Sequence, residues 1–335
     1  MENRENVLFL SFVSSLSTLF SCHNRLKAAD AMNDKSPMKS ACTGCKHATA
    51  DGTCGAKPAS PDSLQELIRD NLARIKHKLL VLSGKGGVGK STVAVNLAAG
   101  LALRGLKVGL LDADLHGPSI PGMLGLSGVV PAAPHSLIQP LAYDLATPGA
   151  DPPRGAEPLR VISIGFFLKN RDDAVIWRGP MKISAIKQFL GHVCWGDLDY
   201  LVVDSPPGTG DEPLTVAQSI PGAKAVVVTT PQGVSVADVR RSITFCRAVK
   251  LDVLGVIENM SGLCCPHCGG KIELFKAGGG EAMARQMGVP FLGRLPIEPA
   301  MVAACDEGKP FVALGEAGET GKAIREIVEK IIQRG

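Results

Sequence analysis

The sequence is poor in aromatic residues, with 10 phenylalanines but only 2 tryptophans and 2 tyrosines among 335 residues. Its formal net charge at pH 7 is only +4, and no dense run of lysine and arginine is interleaved with aromatic side chains. Nucleic-acid-binding surfaces commonly combine basic patches with stacking aromatics. A role in binding nucleic acid is therefore not indicated.

The chain also has no strong N-terminal candidate for membrane insertion. Residues 7–20 are apolar but contain several serines and threonines, and they are shorter than the roughly 20 residues that a spanning helix needs. Glu2 and Glu5 precede them, against a single Arg4, so the positive start of a signal peptide is missing. We expect no stable membrane insertion. Residues 1–31 are interpreted as a disordered or targeting leader or, preferably, as translated sequence upstream of a start at Met32.

Cysteine, in contrast, is plentiful. The chain has 10 cysteines, several of them at C-x-x-C spacing. In a chain with the features described below, this clustering favours metal or redox chemistry over a disulfide framework. We therefore expect a reducing, cytoplasmic environment. The hydrophobic content of 45% and the 38 glycines suit one large α/β domain with a smaller appendage.

A glycine-rich stretch follows the apolar run 79–82 and fits the phosphate-loop pattern G-x-x-x-x-G-K-S/T at every fixed position. Its glycines let backbone N–H groups surround phosphate oxygens, and the next helix adds positive charge at its N-terminus. We expect Lys90 to reach the terminal phosphates of ATP and the Ser91 hydroxyl to ligate Mg²⁺. The predicted nucleotide-binding residues of this stretch are Gly84, Lys85, Gly86, Gly87, Val88, Gly89, Lys90, Ser91 and Thr92.

A second lysine, Lys85, lies inside this loop. The loop thereby resembles the deviant phosphate loop of the ParA, MinD, Mrp and nitrogenase iron-protein group of dimeric ATPases. In that group the extra lysine reaches the nucleotide of the partner, as an arginine finger does in other nucleotide hydrolases. The resemblance implies a homodimer and a catalytic role for Lys85. A solvated loop lysine is the alternative.

Apolar runs alternate with helical segments after the loop, which predicts a mostly parallel twisted sheet with helices on both faces. Residues 62–335 are predicted to form this P-loop NTPase domain, preceded by a cysteine-containing extension, 1–61. The Pro- and Ala-rich residues 129–158 are interpreted as an inserted loop. Strands are predicted at 79–82, 107–111, 160–164, 200–203, 225–228, 253–257 and near Phe291, and helices at 91–104, 181–193, 234–249, 280–287 and 320–332.

Two acidic stretches follow predicted strands, where ligands bind in open α/β sheets. Asp204 follows an apolar run as a Walker B aspartate does, so we expect it to help hold Mg²⁺. Asp114 is the catalytic candidate for orienting the attacking water. Asp112 could fill that role or lie in the outer shell of Mg²⁺.

A C-P-x-C motif, Cys265 to Cys268, follows the sequence ENMSGLC. It supplies two thiolates, whereas a tetrahedral zinc or a 4Fe-4S cluster needs four ligands. Two copies in a symmetric dimer would supply four. Alternatively, Cys264 and His267 complete a zinc site within one chain, or the motif is a dithiol redox pair.

A further cysteine group lies in the N-terminal extension, at Cys42, Cys45 and Cys54. The segment has few apolar residues, so a metal would supply the free energy that orders it. Its spacing does not distinguish iron-sulfur from zinc, and reduced cysteines in a tail are the alternative. Cys22 is a distant candidate for a fourth ligand.

Several motifs together resemble the Mrp-type iron-sulfur cluster carrier ATPases over residues 79–310. They are GKGGVGKST, DADLHGPSIPGMLG, IWRGPMK, WGDLDYLVVDSPPGTGDEPL, TTPQGVSVADV and ENMSGLCCPHC. The resemblance implies an ATPase that binds a labile 4Fe-4S cluster between protomers through Cys265 and Cys268 and delivers it to apo-proteins. An asparagine at the position of Asn259 contacts adenine in this group, although a capping role is the alternative.

Two other functions are compatible with a phosphate loop of this kind. One is a MinD- or ParA-like positioning ATPase on membrane or DNA, for which the charge-balanced C-terminal helix is unsuited. The other is an ATP-gated electron-transfer protein. A carrier would lose its cluster to an acceptor or chelator, whereas an electron-transfer protein would cycle it intact.

Overall fold

The computed structural model describes residues 61–115, 117–129, 131, 137–145, 155–167, 179–264, 268, 270–275, 277–314 and 318–335. The N-terminal extension with its predicted cysteine group lies outside these residues, so its division from the ATPase domain stays a prediction. Every helix in the described ranges is too short or too polar to span a lipid bilayer.

The described strands are β1 (Ile75–Ser83), β2 (Val108–Asp112), β3 (Leu141–Tyr143), β4 (Leu159–Ser163), β5 (Leu198–Asp204), β6 (Lys224–Thr229), β7 (Asp252–Glu258), β8 (Leu263–Cys264), β9 (Lys271–Ile272) and β10 (Phe291–Arg294). The described helices are α1 (Pro61–Ala73), α2 (Lys90–Ala102), α3 (Ile120–Met123), α4 (Gly179–His192), α5 (Asp211–Ser219), α6 (Gly233–Ala248), α7 (Gly279–Gln286), α8 (Pro299–Asp306) and α9 (Gly318–Arg334). Two short 3₁₀ helices occupy Ile164–Phe167 and Phe311–Ala313.

Eight strands form one sheet in the order β10-β7-β6-β1-β5-β2-β4-β3, with β1 inside it. All neighbours pair in parallel except β3, which is antiparallel to β4 at the edge. The predicted α/β fold is therefore confirmed. The interpretation of 129–158 as a loop needs a correction, because three of its residues form the edge strand β3.

The central strand β1 shows why both faces of the sheet are covered. It is apolar over residues 79–82, and side chains on successive strand residues point to opposite faces. Leu79 and Val81 join a core with α2 and α9, whereas Leu80 and Leu82 join a core with α1, α4 and α6. Burial on both faces requires the continuous apolar runs seen in the sequence.

The strand register brings the polar ends of several strands to one edge of the sheet, the edge at which the parallel strands have their C-terminal residues. Asp112 of β2 is aligned with Asp204 of β5 on one side and with Ser163 of β4 on the other. Thr229 of β6 is aligned with Glu258 of β7. The phosphate loop leaves β1 at this same edge, so the fold places all these residues around one site.

Candidate functional site

The phosphate loop lies between β1 and α2, and α2 begins at Lys90. The loop borders an open cleft of about 190 Å³. The cleft is lined by Ser83, Lys85, Gly86, Gly87, Gly89, Lys90, Ser91, Thr92, Asp114, Ser119, Met123 and Pro207. The structure thus brings most of the predicted nucleotide-binding residues together with one of the predicted acids.

Two predicted loop residues support the loop instead of lining the cleft. Val88 is buried in the core between the sheet and α2. Gly84 lies against α6, where an added Cβ would stand 2.6 Å from the carbonyl carbon of Asp238. These contacts hold the backbone of the phosphate loop in place, and with it the loop residues that line the cleft.

Lys90 forms a buried ion pair with the acid at the end of β5. Its Nζ lies 2.5 Å from Oδ1 of Asp204 and 3.6 Å from Oδ2 of Asp114. The Ser91 hydroxyl donates to the other oxygen of Asp204 at 2.5 Å. Asp204 is fully buried, and burial raises its pKa against the opposing effect of the Lys90 charge. The ammonium group of Lys90 therefore lies between Asp204 and Asp114 and offsets part of their negative charge.

Asp112 lies behind these groups. Its two oxygens accept hydrogen bonds from the Ser163 hydroxyl at 2.9 Å and from the backbone N–H of Asp114 at 3.1 Å. Complete burial, together with the nearby charge of Asp204, raises the pKa of Asp112 to about 8. Asp112 thus holds the backbone of Asp114, whose side chain is the one that reaches the cleft.

The donor atoms in the cleft suit Mg²⁺, which prefers oxygen ligands. The Ser91 hydroxyl lines the cleft and donates to the fully buried Asp204 carboxylate, and Oδ1 of Asp114 is buried without a hydrogen-bond partner among the described residues. Such an atom can accept a hydrogen bond from a metal-bound or attacking water. When bound, the ion would neutralise phosphate charge beside Ser91 and Asp204.

The raised pKa of Asp112 gives an unusual pH dependence. An unfolded aspartate has a pKa of about 3.9, so between about pH 4 and pH 8 the folded protein binds the extra proton. The free energy of unfolding should therefore fall as pH rises through this window, by up to about 1.4 kcal/mol per pH unit from this group. Asp112→Asn should remove that contribution. Urea unfolding without Mg²⁺ or nucleotide, from pH 5.5 to 8, tests this, and equal slopes for both proteins would contradict it.

Asn259 follows β7 and lies beneath the phosphate loop. Its Nδ2 donates to the Val88 carbonyl at 2.9 Å, and its backbone N–H donates to the Thr229 carbonyl at 2.7 Å. The side chain is buried, and its Oδ1 has no partner among the described residues. In this structure Asn259 supports the loop, so the predicted contact with adenine stays a prediction.

Two features of the phosphate loop require a glycine at position 89. Its φ of +78° is in the left-handed region, and an added Cβ would lie 2.3 Å from Nδ2 of Asn259. We expect Gly89→Ala to lower the free energy of unfolding by about 2 kcal/mol or more, since the left-handed conformation alone costs roughly 1–2 kcal/mol. It should also reduce the thermal stabilisation by Mg·ADP.

Gly86→Ala is the matched control for this change in the nucleotide-free protein. An added Cβ at Gly86 meets no atom within 4 Å. Its free energy of unfolding should stay within about 0.5 kcal/mol of the wild type, as for ordinary surface changes. Equal stabilities of the Gly86 and Gly89 variants would show that the loop tolerates a side chain at both positions.

The C-P-x-C region contains a small two-stranded antiparallel ribbon, β8 and β9, which we call the cysteine ribbon. Cys264 lies in β8, and Cys268 is an exposed free thiol between the two strands. The ribbon is anchored where the Ile297 N–H donates to the Gly262 carbonyl at 2.7 Å. No group of three or more metal-ligating side chains occurs among the described residues. The other cysteine-related positions named above, Cys265, His267, Cys22, Cys42, Cys45 and Cys54, lie outside them.

Sequence reasoning missed two residues of the site. Ser163 ends β4 and holds Asp112, and Glu258 ends β7 beside Asn259. Both are polar residues at the end of an apolar run, the signal that identified Asp112 and Asp204. A serine or glutamate after a strand is too common for this signal to be decisive without the register.

Comparison with known proteins identifies related sequences over most of the chain. Residues 74–332 match the family described as ParA: NUBPL iron-transfer P-loop NTPase. An iron-sulfur cluster carrier protein of Methanocaldococcus jannaschii is 47% identical over 288 residues, which cover 83% of this chain and 95% of the relative. The cytosolic Fe-S cluster assembly factor NUBP2 of Rattus norvegicus is 46% identical over 267 residues, covering 79% of this chain and 95% of the relative.

Solved structures show the same architecture. A nucleotide-binding protein of Archaeoglobus fulgidus, in complex with ADP, has a TM-score of 0.63 and 39% identity, covering 73% of this chain and 92% of its own. The MinD cell division protein of Aquifex aeolicus has a TM-score of 0.52 and 24% identity, covering 77% and 98%. The likeness to MinD shows the fold alone.

Proposed function

This chain belongs to the family of NUBPL iron-transfer P-loop NTPases, and from that premise we propose an ATPase that holds a 4Fe-4S cluster and passes it to apo-proteins. The observation that carries the proposal is the pairing of two sites in one chain. A phosphate cleft lined by Lys90 and Ser91, both bonded to the buried Asp204, lies at the same sheet edge from which the segment bearing the exposed Cys268 thiol departs.

ATP binding requires Lys90 to exchange its partner. The ammonium group that pairs with Asp204 in this structure would turn to the terminal phosphates, and Ser91 and Asp204 would then hold Mg²⁺. Asp114 would orient the attacking water through its unpartnered oxygen. In-line phosphoryl transfer depends mainly on such positioning and on charge stabilisation.

The cluster is the cargo of the proposed carrier, and a homodimer would hold it. Cys265 and Cys268 give two thiolates per chain, and two chains give the four that a 4Fe-4S cluster uses. Exposure of Cys268 suits a thiolate shared with a second chain. A ligand set shared across a two-fold axis would also let a change at the interface release the cluster.

Lys85 supports the same arrangement from the nucleotide side. It lines the cleft, is only half-buried and makes no ion pair with any described residue. Its charge is therefore available to the nucleotide of a second protomer facing the cleft. We place the protein in the cytoplasm, in line with the relatives named as cytosolic Fe-S cluster assembly factors.

Cluster transfer tests the proposed function directly. The anaerobically reconstituted protein is mixed with an apo form of a 4Fe-4S ferredoxin, and the two are separated before iron and sulfide are counted in each. We expect the cluster to move to the ferredoxin. Retention of the cluster through repeated oxidation and reduction, with no loss to the ferredoxin or to an iron chelator, would instead indicate electron transfer.

A further inference from the structure

Four consecutive residues at the end of β7 contact both the phosphate loop and the residues that flank the cysteine ribbon. Asn259 donates to the Val88 carbonyl, and the Met260 methyl group lies 3.7 Å from where a Cβ on Gly89 would stand. Glu258 and Ser261 instead hydrogen-bond to each other, at 2.5 Å. The phosphate loop and the cysteine ribbon are therefore connected through a stretch of only four residues, 258–261.

Glu258 ties together the two ends of the segment that contains the cysteine ribbon. Its Oε1 accepts from the Ser261 hydroxyl, which precedes the ribbon, and from the Gly278 N–H, which follows it, at 2.9 Å. Its Oε2 accepts from the Gly280 N–H in the first turn of α7. The carboxylate is fully buried, and Nε of Arg294 lies 3.5 Å from it. A buried carboxylate with this many donors has little freedom to move.

The space around this carboxylate is closely filled. An added Cβ at Gly280 would lie 2.9 Å from Oε2 of Glu258. The backbone of Glu258 is held as well, because its carbonyl accepts from the Leu295 N–H at 2.9 Å. The Ser261 N–H in turn donates to the Leu295 carbonyl at 2.9 Å. Side chain and backbone contacts thus hold the start of the segment that contains the cysteine ribbon against the end of β7 and the residue after β10.

Met260 has a left-handed backbone conformation, with φ of +56°, between the two pairs of contacts. A non-glycine residue adopts this conformation only when its surroundings hold it there. The supports here are the hydrogen bond of the preceding Asn259 to the phosphate loop on one side and the Glu258 contacts of Ser261 on the other. A shift of the loop on binding phosphate would therefore act on Ser261 through Met260.

We propose that Glu258 is a positioning residue that couples nucleotide at the phosphate loop to the hold on the cluster. This inference rests on the proposed function, since it requires a cluster at Cys265 and Cys268. Coupling between two binding sites is reciprocal. If Mg·ATP changes the stability of the bound cluster by some factor, the cluster must change the affinity for Mg·ATP by the same factor.

Glu258→Gln tests the coupling, because it keeps the size of the side chain and replaces one acceptor oxygen by a donor. The rate of cluster loss to an iron chelator is measured with and without Mg·ATP, per cluster bound. Couplings of this kind are typically about 5- to 150-fold, and we expect a wild-type ratio in that range. In Glu258→Gln the ratio should fall to within about twofold of 1. The ratio of ATP dissociation constants with and without cluster should fall with it.

Glu281→Gln is the matched control. Glu281 is a neighbouring glutamate on α7 that pairs with the same Arg294, but within the described part of the chain it forms no hydrogen bond or ion pair with residues 258–261. Its ratio should equal that of the wild type. A merely structural defect would lower cluster content in Glu258→Gln without changing the ratio, so the two ratios separate positioning from stability.

The outcomes distinguish this inference from the proposed function. An unchanged ratio in folded Glu258→Gln overturns the inference and leaves the carrier function intact. If that variant does not fold, Ser261→Ala removes only one donor, and a wild-type ratio there overturns it equally. A wild-type ratio of 1 also overturns it. Failure of the wild type to bind a cluster, or binding unaffected by Cys265→Ala/Cys268→Ala, overturns the proposed function.

Discussion

Cys265→Ala/Cys268→Ala should abolish cluster binding at the C-P-x-C motif. These residues are proposed to supply all four thiolates of the shared cluster, two from each chain, and the half-buried Cys305 on α8 and Cys194 before β5 lie outside the motif. Iron and sulfide counted after anaerobic reconstitution should fall from about two of each per chain to near zero. The comparison is made in a Cys42→Ala/Cys45→Ala/Cys54→Ala background, so that metal at the N-terminal group does not enter the count.

Cys194→Ala/Cys305→Ala is the control for this experiment. These two cysteines are half-buried and lie outside the motif. Their removal should leave the iron content unchanged. Full iron content in the Cys265 and Cys268 double variant would refute the assignment of these ligands.

Lys90→Ala should lower kcat for ATP hydrolysis by about 10²–10³-fold, the size of effect seen when one charge-stabilising donor is removed from an active site. Lys90 begins α2, lines the cleft and forms a buried ion pair with Asp204. Its loss removes the charge that would face the terminal phosphates. Steady-state phosphate release at saturating Mg·ATP measures the effect.

Lys90→Ala should also destabilise the nucleotide-free protein, because it leaves a buried carboxylate without its cation. Added Mg²⁺ should restore part of this loss, since the ion can take the place of the ammonium charge beside Asp204. Lys76→Ala is the control, because Lys76 forms an exposed pair with Asp199 at the opposite end of β1. Hydrolysis within a few-fold of wild type in Lys90→Ala would contradict the assigned role.

Much of the fold could be predicted from the sequence because each buried strand is a short apolar run. The sheet is parallel and covered on both faces, so the runs are continuous and easily recognised. The predicted strands and long helices match the structure to within a few residues. The family predicted from the glycine loop and the C-P-H-C motif is confirmed.

Short elements were missed for physical reasons. α3 has only four residues, α8 begins with a proline, and α5 starts inside the Gly- and Pro-rich stretch that follows Asp204. The edge strand β3 has three half-exposed or exposed residues, so it has no apolar run to mark it. The order of strands could not be predicted either, because it depends on contacts between distant parts of the chain.

The same limit applies to the site. The residues Lys90 and Asp204 were predicted separately, but they are 114 positions apart and their ion pair exists only in the folded chain. Asn259 and Val88 are 171 positions apart. The adenine contact that the resemblance implies for Asn259 stays a prediction, and the support that its side chain gives the loop is visible only in the folded chain. Glu258 was missed because its role depends on hydrogen bonds from Ser261 and Gly278, which come together only when the segment between them folds.

The central claim is that two protomers share one cluster over bound nucleotide. The most direct test measures the mass of the anaerobic, cluster-loaded protein with Mg·ATP, together with its iron content, in the Cys42→Ala/Cys45→Ala/Cys54→Ala background. The account predicts twice the 35.0 kDa chain mass and one four-iron cluster per two chains. A single-chain mass with nucleotide bound and a complete cluster on that chain would contradict it.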